Sequence, residues 1–517
     1  MRKKFLKIIS TFAILLFLVF NTMYINSCNT GQKPNMSSNF LSRSTVLYKN
    51  INNKDVSVDL FYRVPDEAYN NPNVAQAIML KQCMDYKTKY PEKDVTITFT
   101  SYHLSIVASV CLDPDNDEYG KMKSLYNCDF KDGYYRISYL LVKAAKLGIH
   151  VTAIGHIDGA AVLQESGKVK DLNHTQYFLD HMEDNCYTGN KKVKDFLVAR
   201  TTDWTAVGDK ASVDMMHLKT CTVSNYIDNN GVEHGAAVWI GSINLDGIDM
   251  YGSNGNDSIQ TGALISDHEE IRRVIVNLTN ILVNYCKQED ASLFRDKVIK
   301  MNTEQIRLIN AGRENEIDPD KQIVYLGTKK DKVFEFYFTP FGGSNENWDT
   351  ELNPLSRYIS KLLPSVSGDN YIEFMWNNVK FISTFGFAKT IEDVLQYSFT
   401  NNTNLNNKLY LRLNGIDTSK FKNLKQGKNI GFLSINQKLS GNHAKDLQLS
   451  YVENGKRQYV TMFSSLNFHS GAVFGQPNTI LVIKETKETG NNLYVDFAGY
   501  TVPGLNLESS RIQPRLI

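Results

Sequence analysis

Two histidines of this chain are each followed, two places on, by a lysine. "HLKTCTVS" runs from His217 to Ser224, and "HAKDLQLS" runs from His443 to Ser450. Residues two apart on a strand face the same side of a sheet, so each histidine is expected to share a face with its lysine. An imidazole can attack phosphorus or donate a proton, and an ammonium group offsets phosphate charge. The two pairs therefore indicate chemistry at a phosphate group.

The same features follow both pairs in the same order, about 226 residues apart. Each pair leads into a strand-like run, an Asn-Gly turn signal, a returning run that ends in Ser-x-Asn, and a Gln before a further β-rich run. The residues concerned are Asn230, Gly231, Ser242, Asn244 and Gln260 in the first copy, and Asn454, Gly455, Ser465, Asn467 and Gln476 in the second. A hairpin returns its second strand about 5 Å from the first, which brings Ser and Asn back beside His and Lys. Each copy is thus predicted to form half of a phosphate site that needs no metal or other cofactor.

The doubled pattern resembles the phospholipase D superfamily, whose paired motifs read His-x-Lys, four residues, then Asp. The resemblance covers residues 45–517 and implies an α/β fold of two similar halves. Each half would be a mixed β-sheet flanked by helices, with the active site at their pseudo-twofold interface. It implies a covalent phosphohistidine, with His217 as nucleophile and His443 as general acid. It also implies that the phosphate ligands are Lys219, Lys445, Asn244 and Asn467, that Ser242 and Ser465 match the family's Ser, and, more loosely, that Gln260 and Gln476 support the histidines.

The chain departs from that family at the motif Asp, because Ser224 and Ser450 occupy the two positions. Both copies make the same replacement, which indicates a subfamily feature rather than decay. The family's Asp acts mainly in structure, so its loss weakens the case for activity only in part. Asp228 and Glu453, in the two turns, are predicted to substitute partly. Ser464 also stands where Gly is common.

The elements around the motifs alternate between strand and helix. "DVTITFTSYHLS" is strand-like, a helical pattern ends before Gly148, and "IHVTAIGHIDG" is again strand-like, which predicts a β-α-β unit with a parallel strand pair. A second helix is predicted near residues 268–286. We place a first half at residues 45–290, a charged connection at 291–330 and a second half at 331–517.

The N-terminus has the features of an export signal. "MRKKFLK" is basic and precedes an apolar run, which is the order of a secretory signal over residues 1–27. A retained membrane anchor is the alternative, and "INSC" resembles a lipobox with Cys28 as the lipidated residue. Removal of residues 1–27 takes away four basic residues and no acidic one, changing the formal charge from +2 to −2. A nearly neutral chain does not favour nucleic acid as the partner.

Six cysteines remain after Cys28, and all of them precede residue 290. An even number in an exported chain predicts disulfides, although their pairing is not readable from sequence. No C-x-x-C pair occurs, so a zinc site is not expected. The six are Cys83, Cys111, Cys128, Cys186, Cys221 and Cys286.

The sequence leaves three functions open. The first is an exported, monomeric phosphodiesterase of the phospholipase D type that acts on phospholipid head groups, with a membrane surface as a compatible partner. The second is a metal-independent nuclease of the same superfamily, which the same site residues would serve. The third is a non-catalytic phosphate- or lipid-binding descendant, which the missing Asp residues suggest and the two intact His-x-Lys pairs oppose.

Overall fold

The computed structural model describes seventeen segments of the chain. They are residues 45–50, 52–63, 72–102, 109–111, 134–156, 162–165, 168–171, 195–204, 215–245, 260–327, 333–342, 352–360, 371–376, 408–413, 430–434, 443–467 and 470–486. The predicted export signal, including Cys28, lies outside them.

Two mixed sheets form the framework of the described residues. The strands of the N-terminal part are β1 (Thr45–Lys49), β2 (Asp55–Arg63), β3 (Thr96–Ser101), β4 (Ser109–Cys111), β5 (Tyr134–Arg136), β6 (His150–His156), β7 (Val162–Glu165), β8 (Lys168–Asp171), β9 (Leu197–Thr202), β10 (Thr220–Val223), β11 (Tyr226–Ile227), β12 (Glu233–His234), β13 (Ala237–Gly241) and β14 (Gln260–Ser266). Eight of them build the first sheet, in the order β1-β2-β14-β13-β10-β3-β6-β9. The remaining six pair as the small ribbons β4-β5, β7-β8 and β11-β12.

The C-terminal part builds the second sheet. Its strands are β15 (Phe334–Phe338), β16 (Tyr371–Trp376), β17 (Lys408–Leu413), β18 (Ile430–Ser434), β19 (Lys445–Glu453), β20 (Lys456–Ser464) and β21 (Thr479–Thr486). Their order in the sheet is β15-β21-β20-β19-β16-β17-β18.

The second sheet repeats the strand order of the first. The run β2-β14-β13-β10-β3-β6-β9 corresponds strand by strand to β15-β21-β20-β19-β16-β17-β18. In both runs the first four neighbouring pairs are antiparallel and the last two are parallel. β10 and β19, which follow the two His-x-Lys pairs, therefore occupy the same place in their sheets. The internal repeat predicted from the motifs extends to the topology of both sheets.

Helices cover the sheets, and apolar side chains of helices and strands pack together in two hydrophobic cores. They are α1 (Pro72–Lys89), α2 (Ile137–Lys146), α3 (Glu269–Leu282), α4 (Ala291–Asn310), α5 (Pro354–Ser360) and α6 (Ser470–Phe474). One core joins α1 and α2 to the first sheet through buried side chains such as Leu80, Leu141 and Phe99. The other core joins α3 and α4 to both sheets. None of the helices in the described segments has the length and apolar character needed to cross a bilayer.

Several predicted local features are present. Gly148 follows α2 with a φ of +83°, as expected of a glycine that ends a helix. Asn454 and Gly455 both have positive φ in the turn between β19 and β20, as an Asn-Gly hairpin requires. β3 and β6 pair in parallel, as predicted for the β-α-β unit. The helix predicted near residues 268–286 is α3.

Two helices are not indicated by the sequence patterns. α1 was missed, because it buries the polar side chains of Gln76 and Gln82 beside its apolar ones and so lacks a clean apolar stripe. The charged segment taken as a connection contains α4, a 20-residue helix that buries Phe294 and Val298 in the core shared by the two sheets. This segment is therefore a packed element that joins the sheets.

Candidate active site

His217 lies three residues before β10 and is almost fully enclosed, with 3% of its surface exposed. Its backbone N–H donates to the carbonyl of Pro477, 3.1 Å away, on the segment that leads into β21. Its ring Nδ1 lies 2.8 Å from Oδ1 of Asn478. Both contacts cross from the first sheet to residues that belong with the second, so the two sheets together fix this imidazole.

The neighbours of Asn478 determine which way its amide points. Its Nδ2 lies 3.1 Å from three oxygens: Thr339 Oγ1, the Ala472 carbonyl and the Gln476 carbonyl. Because carbonyls only accept hydrogen bonds, the amide nitrogen faces them and Oδ1 faces the imidazole. Nδ1 of His217 therefore carries the hydrogen, and the lone pair of the neutral ring lies on Nε2.

His443 takes its partner from the opposite direction. It lies two residues before β19, and its Nδ1 is 3.1 Å from Oε1 of Gln260, the first residue of β14. Ser242 Oγ lies 2.8 Å from the same amide oxygen and is able to donate to it. Each histidine is thus held by an amide oxygen from the other sheet, and the two contacts are reciprocal.

The two lysines are equally matched. Lys219 and Lys445 are both buried, and each Nζ lies near the backbone carbonyl of its own histidine, at 3.4 Å from His217 O and 2.7 Å from His443 O. An ammonium group inside a protein requires compensating charge or dipoles. Two buried lysines beside two histidines therefore make a strongly electropositive site suited to a phosphate.

The pKa of His217 reflects this setting. Burial lowers it well below the ordinary value of 6.5, and the charges of Lys219 and Lys445 lower it further. The hydrogen bond with Asn478 raises the pKa, but by less than burial lowers it, and a smaller lowering comes from His443. At neutral pH His217 is an uncharged imidazole, and the charges that lower its pKa come from both His-x-Lys pairs.

The Ser-x-Asn returns bind the ends of the neighbouring strands. Ser242 Oγ accepts from the Thr261 N–H at 3.0 Å, and Ser465 Oγ accepts from the Thr479 N–H at 3.0 Å. The backbone N–H of each serine donates to the carbonyl of the same threonine. These two serines are therefore structural clamps between strands. The side chains of Asn244 and Asn467 follow two residues later, and Oδ1 of Asn467 has no hydrogen-bond partner among the described residues.

The matching clamps also correct one pairing made from sequence. Because Thr261 corresponds to Thr479, the counterpart of Gln260 is Asn478 and not Gln476. The two residues stand in "QTGALI" and "NTILVI", so an alignment on the threonines would have found Asn478. Gln476 contributes its backbone carbonyl, which accepts from Thr339 Oγ1 and from the Asn478 amide.

The serines at the motif Asp positions have structural partners. Ser224 Oγ accepts from the Thr96 N–H at 3.0 Å, and Ser450 Oγ lies 2.9 Å from Nη1 of Arg457 across the hairpin. Asp228 does not act as a substitute at the site, because its carboxylate accepts from two N–H groups of its own turn. The side chain of Glu453 lies outside the described residues. Ser224 directly follows β10 and Ser450 lies within β19, both away from the His-x-Lys ends.

The cysteines do not support the disulfide prediction where they are described. Cys83, Cys221 and Cys286 are free thiols. Burial raises the pKa of Cys83 and Cys221, and it raises that of Cys286 to about 11. The side chain of Cys111, and all of Cys128 and Cys186, lie outside the described residues. Within the described segments, no cluster of three or more His, Cys, Asp or Glu side chains is arranged to hold a metal ion.

Comparison with known proteins gives weak likenesses in structure. No protein-family model matches the chain, and no curated protein sequence matches it. Polyphosphate kinase from Porphyromonas gingivalis aligns with a TM-score of 0.38 and 10% identity over 82% of this chain, which spans about half of that protein (47%). Phosphatidylserine synthase from Haemophilus influenzae Rd KW20 aligns with a TM-score of 0.46 and 9% identity, over 88% of this chain and 87% of the synthase. Yeast tyrosyl-DNA phosphodiesterase aligns with a TM-score of 0.35 and 9% identity, over 82% and 90%. Likeness at this level does not indicate an activity.

Proposed function

We propose that this protein is a phosphodiesterase of the phospholipase D type that works through a covalent phosphohistidine. The observation that supports it most is the reciprocal exchange of amide oxygens, from Asn478 to His217 and from Gln260 to His443. Both imidazoles are thereby oriented through Nδ1, and we assign the reacting atom of each ring to Nε2. Reciprocity of this kind is expected if the two halves face each other about a pseudo-twofold axis.

In the first step, Nε2 of neutral His217 attacks the phosphorus of the substrate. A P–N bond forms, the P–O bond to the leaving group breaks, and protonated His443 gives its Nε2 proton to the leaving oxygen. Lys219 and Lys445 offset the charge on the non-bridging oxygens as the transition state develops. Asn244 and Asn467 supply amide donors to the same oxygens. The lowered pKa of His217 keeps the nucleophile unprotonated.

In the second step, His443 is neutral and accepts a proton from water. The water oxygen attacks phosphorus, the P–N bond breaks, and His217 leaves as the neutral imidazole while His443 regains its proton. The phosphomonoester product carries the remaining charge. An alcohol in place of water would complete a transfer reaction by the same route.

We propose phospholipid head groups as the substrate, with the protein exported and acting as a monomer. The near-neutral charge after removal of residues 1–27 supports a lipid over a nucleic acid. A monomer is supported because both histidines take their amide partners, Asn478 and Gln260, from the same chain. A membrane surface would present the substrate.

Purified protein should release choline from phosphatidylcholine vesicles in the presence of EDTA. His217→Ala and His443→Ala should each lower this activity by about 10³-fold or more. A rapid quench in denaturant at neutral or mildly alkaline pH should trap a phosphatidyl group on a histidine in the wild type and not in His217→Ala. His150→Ala, in the strand β6, is the control and should keep wild-type activity. Full activity in either site variant would contradict the assigned roles. Cleavage of DNA but not of lipid would favour the nuclease. Binding of phosphate without turnover of any substrate would favour the non-catalytic descendant.

A further inference from the structure

We propose that Tyr102 is a positioning residue for this site, because its ring holds the nucleophile and one of its lysines in place. Tyr102 directly follows β3 and is half-buried. Its ring meets the His217 ring edge-on, with 5.2 Å between centroids and 60° between planes. The ammonium of Lys219 lies 5.4 Å from the centre of the same ring. The proposal rests on the proposed function.

The Tyr102 ring stabilises the Lys219 ammonium in a different way from a carboxylate. Lys219 is buried and needs compensation for its charge, but it must also keep N–H groups directed at a phosphate. A carboxylate would neutralise the ammonium and take up its donors in directional hydrogen bonds. The negative face of an aromatic ring attracts the cation without a fixed hydrogen bond. The ring therefore stabilises the charge of the Lys219 ammonium without neutralising it.

The edge contact limits the movement of His217. Asn478 fixes Nδ1 on one side of the imidazole, and the Tyr102 ring packs against it. Edge-on packing of two rings is a favourable arrangement with a defined geometry. The two contacts together keep Nε2 aimed in one direction, as an attacking atom requires.

His156 packs against Tyr102 and fixes its position. The His156 ring stacks on Tyr102, with 5.3 Å between centroids and 20° between planes, and its backbone N–H donates to the Tyr102 carbonyl at 3.2 Å. His156 is buried, with Thr202 Oγ1 at 2.8 Å and the Met216 N–H at 3.4 Å from its Nδ1. Met216 directly precedes His217. His156 thus ties the tyrosine to the segment that carries the nucleophile.

A series of ring variants tests this role while leaving the packing nearly unchanged. Tyr102→Phe should keep kcat within about twofold, since the ring remains. Replacing Tyr102 by phenylalanines with one, two and three ring fluorines should weaken the attraction for Lys219 step by step, with about a 10-fold loss at three fluorines. The readouts are turnover of bis(p-nitrophenyl) phosphate and, independently, affinity for inorganic phosphate by calorimetry. Tyr86→Leu, on a half-buried tyrosine that packs on Tyr90, is the control and should change neither readout.

Two outcomes would overturn the proposal: equal turnover and equal phosphate affinity across the fluorine series, or Tyr102→Phe losing as much activity as the trifluoro variant. The test separates this proposal from the proposed function. Wild-type protein without turnover contradicts the function, while phosphate affinity that falls with each fluorine still supports the contact between ring and ammonium. Turnover that is present but flat across the series leaves the function intact and excludes the role of Tyr102.

Discussion

Hydrogen bonds from neighbouring groups fix the orientation and the tautomer of the side chains in the site. Asn478 can present only its oxygen to His217, because its nitrogen faces one hydroxyl and two carbonyls. This fixes the tautomer of the imidazole, and burial keeps the ring neutral. A nucleophilic histidine needs its lone pair on Nε2. The Asn478 amide selects this tautomer of His217, although it contacts only the opposite nitrogen of the ring.

The two amide residues before β21, Gln476 and Asn478, are expected to differ in their effect on activity. Asn478→Ala should lower kcat by about 10- to 100-fold, since a partner that orients a functional histidine is lost. Gln476→Ala should lower it by less, because Gln476 supports the site through its backbone carbonyl. Steady-state kinetics of both variants, with ¹⁵N spectra of the His217 ring as a second measurement, check this. Equal losses in the two variants would contradict the assignment of Asn478.

The second prediction follows from the lowered pKa of His217. Unfolded chain binds a proton at this histidine below about pH 6.5, whereas the folded protein does not, so stability falls as pH drops below that value. The loss should reach about 1.4 kcal/mol for each pH unit until the folded pKa is reached. Urea unfolding at pH 7.5 and pH 5.5 measures it. His217→Asn should lose less stability over this interval than wild type, and identical losses would show that His217 titrates normally. The acidic limb of kcat/KM should likewise lie below pH 6.5.

At the scale of elements, the ends of the hairpin strands carry the site. Gly241 ends β13 one residue before Ser242, and a Cβ placed there would lie 2.7 Å from the Trp239 ring and 2.8 Å from the Thr261 carbonyl. In the second sheet the same position is Ser464, whose Oγ donates to the Thr479 carbonyl at 2.8 Å. In both halves the end of the strand lies close against the neighbouring strand. The first half achieves this with a glycine, Gly241, and the second with a hydrogen-bonding serine, Ser464.

Gly241→Ala should therefore destabilise the protein by about 1–3 kcal/mol, because both the indole and the backbone of β14 would have to move. Gly342→Ala is the control, since its Cβ would meet only side-chain atoms at 3.4 Å, and it should change stability by less than about 1 kcal/mol. Thermal or urea unfolding of the two variants gives the comparison. A Gly241→Ala protein as stable as wild type would show that β13 and β14 lie further apart than described.

At the scale of the whole molecule, the site exists only where the two sheets meet. Thr261 Oγ1 on β14 donates to Asp446 Oδ1 on β19 at 3.0 Å, and both residues are buried. This bond lies one residue beyond both Gln260 and Lys445. It therefore joins the two sheets beside the two His-x-Lys pairs, where a small displacement would separate the histidines from their amide partners.

Thr261→Val should cost about 1.5–3 kcal/mol of stability, because it removes a hydrogen bond to a buried carboxylate. It should also lower activity, since the histidine partners cross the same boundary. Thr461→Val is a matched control, because Oγ1 of this buried threonine has no hydrogen-bond partner among the described residues. That variant should be neutral or slightly stabilised. Loss of stability in Thr461→Val equal to that in Thr261→Val would contradict the importance of the contact between the sheets.

The sequence by itself determined the local pattern of the site and its repetition. His-x-Lys at a strand start, an Asn-Gly turn and a Ser-x-Asn return depend on neighbours close in the chain, so strand alternation and turn chemistry predict them. The same rules predicted the parallel pair β3 and β6 and the end of α2 before Gly148. They did not predict α1, where burial of Gln76 and Gln82 depends on what covers the helix.

Only the tertiary structure decided which residues from distant parts of the chain meet. Asn478 faces His217 across 261 residues, and Gln260 faces His443 across 183. Tyr102 reaches Lys219 from a different strand. The first two contacts arise from the packing of one sheet against the other, and the third from the pairing of β3 with β10. Neither kind of contact leaves a periodic signal in the sequence. The lowered pKa of His217 follows for the same reason, since burial and the charge of Lys445 act on it only once both sheets are in place.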